Sequence, residues 1–185
     1  MGLYNFFHIR FRVTNPVLFS LITFRGKKIN GVKRIWDGIL RSLKIESNGY
    51  LVEDVPDPST RCKCGAGYSY ERCCQKYHLG IASPRTAVEL LRARYSAYIY
   101  RLPLYIMKTT HWDHEDAKGN KKKWNQEILN FCDDYAFIGL KILEQRMADT
   151  KTTFILFRVD LKNEYGRRIS FVERGKFLFE KGRYE

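Results

Sequence analysis

The sequence contains no run of about 18 or more apolar residues, so no segment has the length that a membrane-spanning helix requires. Acidic residues are scarce. Twenty Asp and Glu stand against 33 Lys and Arg, a formal net charge of +13, and residues 1–36 hold no acid at all. A balance of that sign favours nucleic acid, anionic lipid or acidic protein as partners and leaves the fold open. Cysteine is scarce too, five in 185 residues. No secretory signal accompanies it. The apolar stretch from Val17 to Phe24 is short, and it runs into Arg25-Gly26-Lys27-Lys28 instead of a small-residue cleavage site. Without an oxidising compartment, structural disulfides lose their setting. What is present, 44% hydrophobic and 15% aromatic residues, suffices for one core of ordinary size plus appendages.

Four of the five cysteines fall within thirteen residues, in RCKCGAGYSYERCC at 61–74. Adjacent cysteines do not easily bridge each other, and joining 62 or 64 to 73 or 74 would close only a small loop. Zinc fits better. It takes four soft ligands in a tetrahedron, and two close pairs across a short loop supply them. Cys62, Cys64, Cys73 and Cys74 are therefore the expected ligands of one Zn²⁺. The loop Gly65-Ala66-Gly67 lets the backbone turn tightly beneath a metal, where amides can donate to the sulfurs. Four thiolates leave no open coordination position, so the zinc is expected to be structural. His78 stands close enough to replace one of the adjacent cysteines. Cys132, 58 residues beyond Cys74, reads as the core residue of a helix.

CKCGAGYSYERCC resembles the SEC-C motif, the zinc knuckle named from the C-terminus of the SecA translocase, with Ala66 where that pattern usually has Ser. The likeness continues. QKYHLG, TAVELLRARYSAYIYRLPLYIMKTTH, FIGLKILE and ERGKFLFEKGRYE resemble the YchJ-like family over roughly residues 61–185. The resemblance implies a SEC-C knuckle followed by a nuclear transport factor 2-like (NTF2-like, cystatin-like) domain, with about three helices packed on an antiparallel sheet. It also implies one more strand after KFLFEKGRYE than the chain has residues for, so the last strand is expected to be missing or very short.

The residue pattern leads to the same α+β class independently. Thr86-Ala87-Val88-Glu89 fits a capping box, and Leu90, Leu91, Arg94, Tyr95 and Tyr98 recur at helical spacing to about Tyr100. Pro103 opens a second short helix ending near Thr110. Residues 111–123 read as a polar loop, and Trp124 to Tyr135 as a third helix carrying Ile128, Leu129, Phe131 and Cys132 on one face. Then the period becomes two: Thr153, Ile155, Phe157 and Val159 alternate with Phe154, Leu156 and Arg158. A turn is expected at Asn163–Gly166. Strands follow at 168–174 and 176–180, with Gly175 as a bulge or bend between them. Helices first and antiparallel strands after define α+β.

Three segments result. Residues 1–55 form a basic leader resembling an organellar transit peptide, which implies plastid ahead of mitochondrion, or a cytoplasmic protein if the segment is only a basic extension. Residues 56–82 hold the knuckle and the end of the acidic, proline-containing linker EDVPDPST, and residues 83–185 the α+β domain.

Three functions are compatible with this. The first is a non-enzymatic module with a structural zinc that contacts another protein through Lys63, Tyr68, Tyr70 and Arg72 on the rigid loop. Aromatic and Arg side chains on such a surface commonly carry binding energy. The second is nucleic-acid, notably RNA, binding through Lys121-Lys122-Lys123, Arg92, Arg94 and Arg101. Arg92 and Arg94 are two apart on a helix and point to different sides, so they do not serve one phosphate well. The third is a small-molecule enzyme using His111 inside the cone that NTF2-like domains form, with Asp113 and His114 near it.

Overall fold

Thr86 opens the principal helix. Its side chain accepts from the Glu89 N–H at 3.1 Å, and the Glu89 carboxylate accepts from the N–H groups of Thr86 and Arg85, so the expected capping box is present. The computed structural model describes residues 56–185, and the leader with its targeting expectation lies outside the described residues. Within them, α1 is the single turn Gln75–His78, α2 runs Ala87–Ile99, α3 Pro103–Lys108, α4 Glu115–Lys118 and α5 Lys121–Asp134. The strands are β1 Tyr135–Met147, β2 Thr152–Asn163, β3 Arg168–Glu180 and β4 Arg183–Tyr184.

Helix α2 is buried on nearly every side, from Ala87 through Leu90, Leu91, Ala93, Tyr95, Ser96 and Ala97 to Tyr98. A helix buried around most of its circumference belongs in the middle of a fold. It packs against α1, α3, α5, β1 and β2. Pro103 occupies the first turn of α3, where its missing N–H costs nothing. Helix α5 begins at Lys121, three residues before the expected start. Asn120 caps it, accepting from the N–H groups of Lys122 and Lys123. Its buried face is Trp124, Ile128 and Phe131. Cys132 is half-buried, at the edge of that face. The stretch read as a polar loop also contains α4, capped by His114.

The sheet is an antiparallel meander in the order β1-β2-β3-β4. On β2, Thr153, Ile155, Phe157, Val159 and Leu161 face the helices and are buried. Register irregularities lie in β1, between Phe137 and Gly139 and between Ile142 and Glu144, where they curl the sheet around the helices. The bend expected at Gly175 is absent. Strand β3 is continuous there, with Gly175 opposite Ile155. Glycine is needed for a different reason: a Cβ would stand 2.8 Å from the Phe177 ring and 3.3 Å from the Phe157 ring. Sequence reasoning found the special residue and assigned it a bulge or bend, because close ring approach leaves no local signature.

Candidate metal centre

The knuckle is built on two left-handed glycines. Gly65 at φ 79° and Gly67 at φ 94° reverse the chain between the first and second cysteine pairs. The Cys62 N–H then donates to the Tyr68 carbonyl at 2.8 Å, and the Tyr70 N–H to the Thr60 carbonyl at 2.8 Å, closing a small ribbon. This folding brings Cys62, Cys64, Cys73 and Cys74 together, with all four sulfurs within 4.8 Å of one another. The Cys64 and Cys73 sulfurs lie 3.4 Å apart and those of Cys73 and Cys74 3.8 Å. Sulfurs placed about 2.3 Å from a central zinc in a tetrahedron are about 3.8 Å from each other. The donor set therefore has the size and softness that zinc requires.

The thiols hold charge unevenly. Hydrogen bonds from Cys64 and then Cys74 pull Cys62 well below the usual thiol range. Burial, and then Cys64, pushes Cys73 up to about 12. Cys74 is driven higher still, first by its contacts with Cys62 and Cys64. A divalent cation at the centre would permit four thiolates to coexist at this separation.

His78 is not a fourth ligand. Its Nε2 donates to the Ala93 carbonyl at 2.9 Å, which fixes the tautomer, and its Nδ1 accepts from the Tyr70 hydroxyl at 2.8 Å. The ring is 4% exposed, and burial holds its pKa down at about 4. It is the bolt between knuckle and domain. Two further contacts reinforce it. The Arg92 guanidinium donates to the Cys64 carbonyl at 2.8 Å, and the Lys63 N–H donates to the Tyr100 hydroxyl at 3.1 Å.

These contacts revise the expected contact surface. Lys63, Tyr68 and Arg72 are exposed, Tyr68 by 64%. Tyr70 is 2% exposed, because its ring packs edge-on against Tyr100 and its hydroxyl is given to His78, so it presents nothing to a partner. Arg92 turns inward to the knuckle backbone. Arg94 is buried, donating to the Ile106 carbonyl and to the Thr109 and Thr110 hydroxyls. Arg101 pairs with Asp133 at 3.1 Å. These three arginines and the exposed Lys121–Lys123 segment do not form one basic patch. The structural roles of Tyr100, His78 and Tyr70 were missed because each depends on a partner distant in sequence or in another element.

His111 lines a cleft of about 290 Å³ between α2, the segment 109–114 and β3, with Leu90, Arg94, His114, Glu173 and Phe177 on its walls. Its Nδ1 accepts from the Asp113 N–H at 3.2 Å, so the neutral ring carries its proton on Nε2. That Nε2 is buried, with no hydrogen-bond partner among the described residues and Glu180 at 3.6 Å. His114 is held the same way, its Nδ1 accepting from the Asp116 N–H at 3.2 Å, and burial lowers its pKa. Asp113 is exposed and paired with Lys118, away from proton-transfer duty. His111 thus has its Nδ1 occupied as an acceptor and its Nε2 nearest the Glu180 carboxylate.

A four-cysteine knuckle bolted to an NTF2-like α+β domain is the class that this fold and this site define. The chain belongs to the YchJ family: the family model described as YchJ, middle NTF2-like domain, matches residues 86–185, more than half of the 185. A UPF0225 protein of Ralstonia nicotianae is 48% identical over 57 residues, covering 31% of this chain and 39% of that protein. One from Haemophilus influenzae is 30% identical over 118 residues, covering 63% and 69%. One from Serratia proteamaculans is 29% identical over 119 residues, covering 63% and 74%. Among solved structures, a SEC-C motif containing protein from Rhodopseudomonas palustris superposes with a TM-score of 0.60 at 23% identity, covering 68% of this chain and 93% of that one. Another from Psychrobacter arcticus gives 0.56 at 24%, covering 65% and 73%. At those identities the likeness concerns the fold.

Proposed function

We propose that this chain is a zinc protein whose metal is structural and whose knuckle serves as a protein-contact surface. The observation that carries the reading is the closed set of four sulfurs within 4.8 Å of one another, with Lys63, Tyr68 and Arg72 exposed around it. Four thiolates complete a tetrahedral zinc, so no water is polarised there and the metal acts by rigidifying a segment too short to fold alone. Elemental analysis of the purified chain is expected to give about one zinc, and the Cys64→Ser, Cys73→Ser double variant almost none. Zinc content unaffected by those changes removes the assignment. Lys63→Glu with Arg72→Glu keeps zinc and melting temperature and weakens capture of a defined partner.

A second reading attaches to His111, which lines the cleft and whose buried Nε2 has no hydrogen-bond partner among the described residues. An oxygen of a small ligand would accept from it. If His111→Ala abolishes a measurable turnover in a folded protein while the knuckle variant keeps every partner, the enzyme reading replaces the module reading.

A further inference from the structure

The strand register separates the two faces of the sheet. Residues Thr153, Ile155, Phe157, Val159 and Leu161 point to the helices, so the opposite face is set by Phe154, Leu156, Arg158, Asp160 and Lys162 and by what pairs with them. Phe154 lies between Arg146 on β1 and Lys176 on β3. Leu156 has Arg174 beside it, Arg158 has Lys141, and Lys162 has Arg168. All of these cations are exposed. The acids on this face are Glu144 and Asp160, and Asp160 is taken by Arg158 at 3.2 Å and by the Ser170 hydroxyl. Lys141, Arg146, Lys162, Arg168, Arg174 and Lys176 make no ion pair with another described residue.

We infer that this outer sheet face binds single-stranded nucleic acid. Charge complementarity calls for a polyanion. It also rules out the chain's own first 36 residues as the electrostatic occupant, since they contain no Asp or Glu. Phe154 narrows the class. It is half-buried near the start of β2, with a cation across each neighbouring strand. Neighbouring strands are about 4.8 Å apart, so a cationic side chain arises on either side of the ring, one from each neighbouring strand. An aromatic platform among cations that track a backbone is how proteins hold unpaired strands without reading sequence. An acidic peptide offers no ring to stack. A membrane surface would call for a continuous set of protruding apolar side chains, whereas Leu156 is half-buried here and Val172 is exposed among Arg158, Arg174 and Lys141. The site is independent of the knuckle reading.

The test uses the full chain and fluorescent 12-mers of oligouridylate and oligothymidylate, with heparin and phosphatidylserine vesicles as competitors without bases. Wild type is expected to bind both oligonucleotides, more weakly as salt rises from 50 to 200 mM. Arg174→Glu with Lys176→Glu weakens binding at least tenfold and makes it less salt-dependent. Phe154→Leu keeps the apolar volume and weakens the oligonucleotides about tenfold while leaving heparin affinity unchanged. Circular dichroism melts confirm that each variant is folded. The inference is overturned if the sheet variants bind as wild type does, or if charge reversal at Lys121–Lys123 removes the binding instead. It is also overturned if Phe154→Leu shifts heparin and oligonucleotide alike, or if vesicles bind and oligonucleotides do not.

Discussion

Replacing His78 by Gln tests the bolt between the knuckle and the domain through its pH dependence. The folded-state pKa of His78 is lowered to about 4 by burial, against 6.5 for the free side chain. The folded protein therefore holds the neutral ring. The unfolded chain binds the extra proton once pH falls below 6.5, so stability rises with pH across this window. The contribution is fully present above 6.5 and is lost as pH falls toward 4. A difference of about 2.5 units at 1.36 kcal/mol per unit is about 3 kcal/mol. The ring is 4% exposed, so solvent screening hardly reduces this. For a unit of this size 3 kcal/mol corresponds to a melting-temperature change of about 10 °C.

Gln does not titrate in this range. At pH 7.5 the variant loses the imidazole's packing and its hydrogen bond from Tyr70, at a cost of about 2 kcal/mol. The gap between wild type and variant is then expected to close and to reverse by about 1 kcal/mol as pH drops from 7.5 to 4, because only the wild type carries the titrating ring. Thermal melts of both zinc-loaded chains at half-unit pH steps read this directly. Acid displacement of zinc and titration of His114 act on both proteins and cancel in the difference. A gap that stays constant from pH 7.5 to 4 would refute the assignment of His78 as a buried neutral ring bridging Tyr70 and Ala93.

Two more outcomes test the domain itself. Gly175→Ala puts a methyl group 2.8 Å from the Phe177 ring, and is expected to destabilise by about 2 kcal/mol in urea unfolding while leaving zinc content unchanged. Arg94→Met removes a buried cation that donates to three oxygens on α3 and its C-terminal turn and whose field reaches Glu173, at a cost of about 3 kcal/mol. A change under 1 kcal/mol there would show that Arg94 is replaceable by apolar volume.

The sequence displays whatever is local. Thr86 and Glu89 are three residues apart and form the capping box they suggest. The cysteine pairs and the glycines between them announce the metal cluster, and the alternation along β2 separates its two faces. What was misread depends on distant partners. Tyr70 and Arg94 look like surface contact groups in a polar segment and an amphipathic helix, yet each is buried by elements that follow it. The cationic outer face was not legible either, because Arg146, Phe154 and Lys176 become neighbours only when the register of three strands is known.

The placement of α2 links these parts. From one side it receives the knuckle, through Arg92 to Cys64, the Ala93 carbonyl to His78 and Tyr100 to Lys63. From another, Leu90 and Arg94 help to wall the cleft in which His111 sits. The knuckle therefore cannot be a passive appendage on a linker. Its cysteine loop is bonded to side chains of the same helix that lines the cleft, and the described residues 56–185 fall in one compact unit. A metal that orders the loop also fixes the acceptors for Arg92, whose neighbours two positions along on either side, Leu90 and Arg94, are cleft walls. Since interiors are close-packed and transmit displacement, a metal held by the four cysteines would be felt at the cleft even though none of the four lines it.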